Sequence, residues 1–415
     1  MDNPRNDGFL SATPADKILL RPDAASIDAQ GLLSSGGDKF MVNSRNAPMR
    51  VVYLCHDFGQ PDHDRCAALA TSGVTLRTIV WARADSVYRW QETQKSWNSH
   101  SSIPVGSPAL SVQISALVQL ISALVAFRPD VLIVYGYNNP AFFICAAVFS
   151  LSGTVVVTMN DSRFSDYRRT GWKDVVKGLM LLPYRGCLAA SAAAADYAWF
   201  LGLRRLAVYH CAVDVSRISE GARASYKTTP YVDRAFLIVS RFEEKKNLPR
   251  ILDAYALYLA HAAQPRRLNL IGYGPMEAEI RARVDASPLL KQHVDVIGFV
   301  TASQVPTHMG SALCLILASL CDQFGIVVTE ALASGIPVIV SSNCGAAELV
   351  QPWKNGFIIE PAQTESIARA MIEMDGSEAD WNQFSDNARQ SASAADVDVF
   401  VEGLKTLVPV HAIVA

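Results

Sequence analysis

The stretch from residue 313 to residue 340 constrains the fold of this chain more than any other. An apolar run, 313–317, is followed by a polar loop, a segment that ends at Ser334-Gly335, and a second apolar run, 336–340. Short apolar runs bounded by turn residues are typical of buried strands, and a glycine often follows the last residue of a helix. The stretch therefore predicts a strand, a helix and a second strand that pairs in parallel with the first.

The same alternation of apolar runs and helical patterns continues through most of the chain, which predicts an α/β fold with mostly parallel sheets. A chain of 415 residues exceeds one hydrophobic core, since domains of about 100–200 residues are usual. We therefore predict two Rossmann-like, doubly wound parallel-sheet domains. The predicted boundaries are a disordered tail at 1–45, a first domain at 46–211, a linker at 212–232, a second domain at 233–379, and C-terminal helices at 380–415 that pack back towards the first domain.

Composition excludes several classes of protein. The net charge is −2 and no long basic run is present, so nothing indicates binding to nucleic acid. The eight cysteines include no C-x-x-C pair, which favours reduced thiols in a cytoplasmic protein over a disulfide scaffold or a zinc site. The apolar stretch 140–159 contains Ser150, Ser152 and Gly153 and divides better into a helix and a strand than into one membrane span.

The loop and helix inside the 313–340 stretch could bind a phosphate. The backbone amides of Phe324, Gly325 and Ile326 are expected at the helix N-terminus, where unpaired N–H groups and the positive end of the dipole favour an anion. Gly325 would let a ligand approach the backbone closely, and the carboxylate of Glu330, about two turns along, could accept hydrogen bonds from a polyol. The alternative is an ordinary strand–helix–strand unit in which Asp322 caps the helix.

Arg241 and Lys246 lie five positions apart in another predicted strand-to-helix loop. Side chains in such loops point into the crevice at the carboxyl ends of the strands. Two cations there could hold a diphosphate through charge-assisted hydrogen bonds. The alternative is a solvated cationic loop.

These patterns together resemble the retaining family-four glycosyltransferases of the GT-B class. Asp322 and Glu330 match an acidic-x7-Glu motif, Arg241 and Lys246 match an Arg-x4-Lys element, and residues 272–275 match a Gly-x-Gly-Pro turn. The resemblance implies two domains that face each other across a cleft. It also implies transfer of a sugar, with retention at the anomeric carbon, from a nucleoside-diphosphate sugar to a saccharide or lipid-linked acceptor in bacterial polysaccharide or glycolipid assembly. No metal and no cofactor are implied, because the nucleotide sugar is a substrate.

The resemblance also assigns roles in the second domain. Arg241 and Lys246 would stabilise the leaving diphosphate, and Glu330 would hold the nucleotide ribose. Asp322 would hold the donor sugar together with the amides of the 324–326 segment. The turn at Gly274 and the segment that ends at Val300 would lie near the diphosphate and the nucleobase.

In the first domain the resemblance places residues on the acceptor side of the cleft. Asn160 stands where many relatives have a His that faces the reacting sugar, and Asp161 follows it. Asp322 stands where the family usually has Glu. Further acceptor-side candidates are His56, Asp57, Gly59 and Tyr137. Two other functions use the same fold: epimerisation or hydrolysis of a nucleotide sugar, and a catalytically inactive homologue that acts as a binding partner.

Two further segments have alternative interpretations. Asp62-His63-Asp64 could be a metal site or a D-x-D motif, but acids in the first turn of a helix explain it as well. Residues 163–185 interleave six cations, including Arg163, with aromatic and aliphatic residues. They predict either a helix with a solvated face or a basic-aromatic helix on an anionic membrane surface, which would make the protein peripheral at the inner face of the cell membrane.

Overall fold

A computed structural model describes residues 47–83, 99–105, 109–167 and 169–408. All of these residues belong to one compact unit. The tail predicted at 1–45 and Arg168 lie outside the described residues.

The first half of the chain forms a seven-stranded sheet in which all recorded strand pairs are parallel. Its strands lie in the spatial order β3-β2-β1-β4-β5-β6-β7. Their bounds are β1 Arg50–Cys55, β2 Thr75–Arg83, β3 Ser99–Val105, β4 Val131–Tyr135, β5 Val155–Asn160, β6 Gly186–Ala189 and β7 Leu206–Val208.

Five helices connect these strands: α1 Gln60–Thr71, α2 Leu110–Phe127, α3 Pro140–Leu151, α4 Gly171–Leu181 and α5 Ala192–Phe200. Buried side chains of α2, α3, α4 and α5 share one core cluster on one face of the sheet. Cys66 and Leu69 of α1 belong to a different cluster on the other face. The sheet is therefore covered on both faces, as expected of parallel strands with nearly continuous apolar sequences.

The second half forms a six-stranded parallel sheet in the order β10-β9-β8-β11-β12-β13. Its strands are β8 Ala235–Val239, β9 Leu268–Ile271, β10 Val294–Gly298, β11 Ala312–Leu317, β12 Val338–Ser341 and β13 Gly356–Ile359. The helices are α6 Val215–Thr228, α7 Leu248–His261, α8 Glu277–Ala286, α9 Pro288–His293, α10 Val305–Gly310, α11 Ile326–Ala333, α12 Thr364–Met374, α13 Glu378–Ala392 and α14 Val397–Leu407.

The two halves share one hydrophobic core. The cluster that lies under α1 extends without interruption into the second sheet, and it includes Phe400 and Leu404 of α14. Helix α14 packs against α1, β6 and β7, whereas α13 packs against α11. The last helix therefore returns to the first sheet.

The structure differs from the sequence prediction in three places. Strands were predicted as apolar runs, but β3 at Ser99–Val105 is a polar strand at the sheet edge. The predicted linker 212–232 is mostly helix α6, which packs against α10. The helix predicted within 163–185 spans only Gly171–Leu181, so Arg163 lies in the preceding loop. Residues 140–159 do divide into a helix and a strand.

Helix α2 is long and apolar enough to cross a membrane by length and composition. Its inner side chains, Ala116, Leu120 and Leu124, are buried on the sheet. Its two ends lead into β3 and β4, which belong to the same parallel sheet. Those connections make it a crossover helix that lies on the sheet.

Candidate active site

The loops after β8 and β11 bring two predicted site residues together. These strands are neighbours in the second sheet, so their carboxyl ends meet at one edge. The Nζ atom of Lys246 lies 2.5 Å from Oδ2 of Asp322, and both side chains are largely buried. Ser319 Oγ donates to the same carboxylate oxygen at 3.3 Å. Asp322 is not the helix cap of the alternative interpretation, since no side chain caps α11.

Arg241 lies in the same loop as Lys246, one residue beyond Ser240. Its Nη1 atom is 2.8 Å from Oε1 of Glu243, and its side chain is mostly buried. The Phe242 amide donates to the Tyr273 carbonyl at 2.7 Å, which fastens this loop to the turn that follows β9.

The Gly-x-Gly turn makes that fastening possible. Gly274 has φ +155°, and a Cβ there would lie 2.6 Å from the Phe242 oxygen. Gly272 has φ +144°, and a Cβ there would overlap the Ser240 carbonyl. Gly274 therefore acts on the site through backbone packing that positions the Arg241 loop. Val300, after β10, is partly buried, and its neighbour Phe299 packs edge-on against Tyr273.

Gly325 forms the N-cap of α11 with φ +90°. A Cβ at this position would lie 2.6 Å from Cδ2 of Leu317 and 2.7 Å from Sγ of Cys344. Phe324 is buried, and its carbonyl accepts a hydrogen bond from the Ala346 amide. This left-handed cap directs the first amides of α11, which begins at Ile326, towards the loop that carries Asp322. The predicted helix N-terminus thus adjoins the Lys246–Asp322 pair.

Glu330 is the fifth residue of α11, closer to the helix start than predicted. Burial raises the pKa of its carboxyl group to about 7, the Arg217 guanidinium opposes that rise, and Asp64 adds to it. Its carboxylate accepts no hydrogen bond in the parts of the chain that the structure describes. A carboxylate without a protein donor is suited to receive hydroxyl donors from a ligand.

Arg163 crosses from the first domain to the second. Its Nη2 atom donates to the carbonyl oxygens of Asp322 at 2.7 Å and Asn343 at 2.9 Å. Its Nε and Nη2 atoms also bind Oδ1 of Asp166 at 3.0 and 2.8 Å. Only 5% of Arg163 is exposed. The basic-aromatic pattern of residues 163–185 predicted a surface helix for Arg163, although its position three residues after Asn160, at a strand end, was a signal for the site.

Asp161 also faces the second domain. Gln323 Nε2 donates to Oδ1 of Asp161 at 3.3 Å. Burial raises the pKa of the Asp161 carboxyl group, and the nearby carboxylates of Asp166 and Asp322 raise it further. The structure therefore places Asp161 across the cleft from the Asp322 loop.

Asn160 and the other acceptor-side candidates are less closely associated. The Asn160 side chain is buried and bonds the backbone of Ser162 at 3.3 and 3.4 Å, which shapes the turn before Arg163. His56 stacks on Phe142 with ring centroids 4.4 Å apart, and Asp57 is partly buried beside it. Gly59 is the N-cap of α1. Tyr137 is buried in the core cluster beneath α3 and α5, so its side chain has a packing role there.

The Asp62-His63-Asp64 segment begins α1, and its carboxylates bond to the protein. Asp62 accepts from the Tyr53 hydroxyl at 2.6 Å and from Arg65 at 3.2 Å. Asp64 accepts from Arg217 Nη2 at 2.7 Å. Among the described residues, no group of three or more His, Cys, Asp or Glu side chains is arranged to hold a metal ion.

A second set of contacts joins the domains away from the Asp322 loop. Glu348 accepts from the Ala192 amide at the start of α5 and lies 2.8 Å from Nδ1 of His210. The Arg217–Asp64 pair joins α6 to α1. The cleft is therefore closed at several points in this structure.

Two doubly wound parallel sheets that face each other across a cleft are the architecture of the GT-B fold. The solved structure of HepE of Anabaena in complex with UDP supports this fold assignment. It superposes with a TM-score of 0.67 over 86% of this chain and 99% of HepE, at 16% identity.

Residues 228–391 match the family model for glycosyl transferases group 1. The amylovoran biosynthesis glycosyltransferase AmsK of Erwinia amylovora is 29% identical over 150 residues, which cover 35% of this chain and 36% of AmsK. The putative colanic acid biosynthesis glycosyltransferase WcaL of Salmonella typhimurium is 27% identical over 175 residues, or 41% and 42% of the two chains. These matches therefore span about two-fifths of each relative. Residues 228–391 of this chain are therefore similar to the glycosyl transferases group 1.

Proposed function

We propose that this protein transfers a sugar, with retention of configuration, from a nucleoside-diphosphate sugar to a saccharide or lipid-linked acceptor. The observation that carries the proposal is the Lys246–Asp322 pair, 2.5 Å apart, beside the N-terminus of α11. It combines a cation and backbone amides for a diphosphate with a carboxylate for sugar hydroxyls.

Lys246 and Arg241 would act on the leaving group. Negative charge grows on the diphosphate as the bond to the anomeric carbon breaks, so fixed cations stabilise the transition state more than the bound donor. Each cation is paired with a carboxylate, Asp322 or Glu243. The donor phosphates would therefore share or replace these partners when they bind.

The acceptor would be activated with little help from the protein. The acceptor oxygen forms the new bond to the anomeric carbon on the face that the diphosphate leaves, and its proton passes to the departing phosphate oxygen. Asp161 faces the Asp322 loop through Gln323 and would orient the acceptor hydroxyl or accept its proton. As a general base it would contribute about 10²–10⁴-fold in rate, so Asp161→Asn should reveal which role applies. A smaller loss indicates positioning.

The setting of the reaction follows from the relatives. AmsK and WcaL carry names from amylovoran and colanic acid biosynthesis, and HepE was solved with UDP. They support polysaccharide or glycolipid assembly and a uridine nucleotide as the first donor to test, and the cytoplasm is the compartment we propose. A peripheral contact with the inner face of the cell membrane through residues 163–185 belongs to the same proposal, now with Trp172 and Lys173 of α4 exposed and Arg163 withdrawn into the cleft.

Nucleotide release with and without acceptor tests the function directly. The protein is incubated with a panel of UDP-, GDP- and ADP-sugars, and free nucleoside diphosphate is measured. Release that requires a saccharide or lipid acceptor supports transfer. Release without acceptor indicates a hydrolase, and a changed sugar without release indicates an epimerase. Binding of a nucleotide without any turnover would identify an inactive homologue.

A further inference from the structure

Helix α2 presents an uncharged surface where a solvated helix would carry charges. None of its 18 residues is Asp, Glu, Lys, Arg or His. Its outward side chains include Leu110, Ile114, Val118 and Val125, and Leu110 is 74% exposed. A surface helix of a globular protein normally turns charged residues towards water.

Helix α3 repeats the pattern on the same face of the sheet. Its 12 residues also lack any charged or histidine side chain. Ile144, Val148 and Leu151 point outward, and Leu151 is 91% exposed. The inner sides of α2 and α3 belong to one core cluster, so both helices lie in one layer. We call their outward aliphatic residues the uncharged face: Leu110, Ile114, Val118, Val125, Ile144, Val148 and Leu151.

Cations and aromatic rings lie on the next two helices of the same layer, α4 and α5. In α4, Trp172 is 65% exposed and Lys173 lies 5.8 Å from its ring centroid. At the end of α5, Arg204 lies over the Trp199 ring at 4.6 Å. Indoles next to cations at the rim of an apolar surface are typical of proteins that rest in the headgroup region of a bilayer.

We propose that the uncharged face docks on an anionic lipid bilayer, with α2 and α3 lying in the interface plane. Contiguous exposed apolar patches on soluble proteins mark sites of interaction. The connections of α2 to β3 and β4 keep it on the sheet, so it enters the interface without crossing. Docking through α2 and α3 extends the membrane contact proposed above for residues 163–185 to a second surface, and it does not depend on glycosyl transfer.

The charge pattern favours lipid over a second copy of the chain. In a two-fold interface the same patch meets itself, so the net positive charge of its border would be brought against an equal positive charge. Asp174 is the only acidic residue in α2, α3 and α4. It is already bonded to the Tyr197 hydroxyl at 3.0 Å and lies 3.7 Å from Lys177. Asp196 of α5 adds a second, exposed carboxylate, but residues 171–205 still carry five cations against two carboxylates, and this net positive charge suits anionic headgroups.

The face also adjoins the cleft. Helix α4 begins at Gly171, shortly after the loop that contains Asp161 and Arg163. If the proposed transfer holds, a lipid-linked acceptor could reach Asp161 without leaving the bilayer surface. That consequence rests on the proposed function, whereas the docking is tested separately.

Vesicle flotation of the full chain tests the docking. The vesicles are pure phosphatidylcholine or phosphatidylcholine with phosphatidylglycerol, at low and high salt. The face variant combines Leu110→Gln, Val118→Gln and Leu151→Gln. The control variant combines Val232→Gln, Leu289→Gln and Ile372→Gln, which are also exposed aliphatic positions but lie in the other half of the chain. Nucleotide affinity and thermal unfolding check that each variant is folded.

We expect the wild type and the control variant to float with anionic vesicles, less so at high salt. The face variant should partition at least about tenfold less, because apolar burial supplies much of interfacial binding. Equal flotation of the face variant and the wild type would overturn the proposal, and so would wild-type protein that floats with neither vesicle. A wild-type dimer in light scattering that the face variant abolishes would assign the face to a second copy instead.

Discussion

Lys246 and Asp322 hold each other at the carboxyl ends of β8 and β11, and in the proposed function a donor has to replace both partners of this pair. Both groups are largely buried, so neither is solvated well enough to lose its partner without a replacement. A diphosphate would replace the carboxylate for Lys246, and sugar hydroxyls would replace the ammonium for Asp322. Donor binding is thus expected to exchange one ion pair for two sets of ligand contacts.

We expect Lys246→Ala to lower kcat by roughly 10²–10³-fold, the scale of a preorganised electrostatic group. The matched control is Lys245→Ala, the adjacent cation, whose side chain is about half exposed and 3.7 Å from Glu243. Steady-state rates of nucleotide release with acceptor measure both. A near-normal kcat for Lys246→Ala would show that this lysine does not act on the leaving group.

Glu330 should release a proton when a nucleotide binds near neutral pH. Burial raises its pKa to about 7 in the free protein, and ribose hydroxyl donors would favour the ionised form. UDP affinity should therefore weaken as the pH falls from about 8 to about 6. Calorimetry in two buffers of different ionisation enthalpy measures the proton. Glu330→Gln should abolish its release and weaken UDP binding by about 10–150-fold; unchanged affinity would remove the ribose role.

The same pKa shift makes folding stability depend on pH in the opposite direction to UDP affinity. The folded-state pKa of Glu330 is about 7, above the usual value near 4.3. Its contribution to stability is therefore fully present at low pH and is lost as the pH rises through about 7. We expect the stability of Glu330→Gln minus that of the wild type to be larger at pH 8 than at pH 5. Denaturant titrations at the two pH values measure this difference.

At the scale of elements, the turn after β9 controls the loop after β8. Gly274→Ala would place a Cβ 2.6 Å from the Phe242 oxygen, so the Arg241 loop must move. Gly202→Ala is the control, because Gly202 also has a positive φ, +111°, but its Cβ would meet no atom within 4 Å. We expect Gly274→Ala to lose about 1–3 kcal/mol more unfolding free energy than the control, and to lose activity. Equal losses of unfolding free energy for the two variants in denaturant titrations would show that the turn at Gly274 does not position the Arg241 loop.

The sequence predicted most elements because parallel strands buried on both faces are nearly continuous apolar runs. The α/β fold of two sheets is confirmed. β3 was missed because it is a polar edge strand, paired only with β2. α6 was missed although the sequence carried its signals, since Asp214 caps it and the buried Ile218 and Ala222 stand at helical spacing. The roles of Arg241, Lys246 and Glu330 stay predictions. The hydrogen bonds of Arg163 could not be predicted from local sequence, because they form only where two loops distant in sequence meet.

At the scale of the whole molecule, Arg163 ties the two domains together beside the site. Its guanidinium joins Asp166 of the first domain to the carbonyls of Asp322 and Asn343 in the second. Because it bonds the backbone of the Asp322 loop, domain closure and site geometry are coupled. The contacts of Glu348 and Arg217 then hold the closed arrangement at other points.

We expect Arg163→Lys to favour an open cleft, because an ammonium cannot replace the planar fork of five donors. The predicted readouts are a larger radius of gyration in solution scattering and a loss of about 10–150-fold in kcat/KM, the scale of one charged hydrogen bond. Arg50→Lys is the control, since Arg50 bonds Asp130 and the Phe127 carbonyl within the first domain. If both variants keep the wild-type radius and rate, Arg163 does not govern closure.

The return of α14 to the first sheet affects the order in which the chain becomes stable during synthesis. Domains usually fold as units while translation proceeds, with the N-terminal one first. Here β6, β7 and α1 stay uncovered until residues 397–407 emerge from the ribosome, after the entire second domain. The first domain therefore cannot complete its core on the nascent chain by itself, and ribosome-bound chains that stop before α14 should be open to chaperones at that surface.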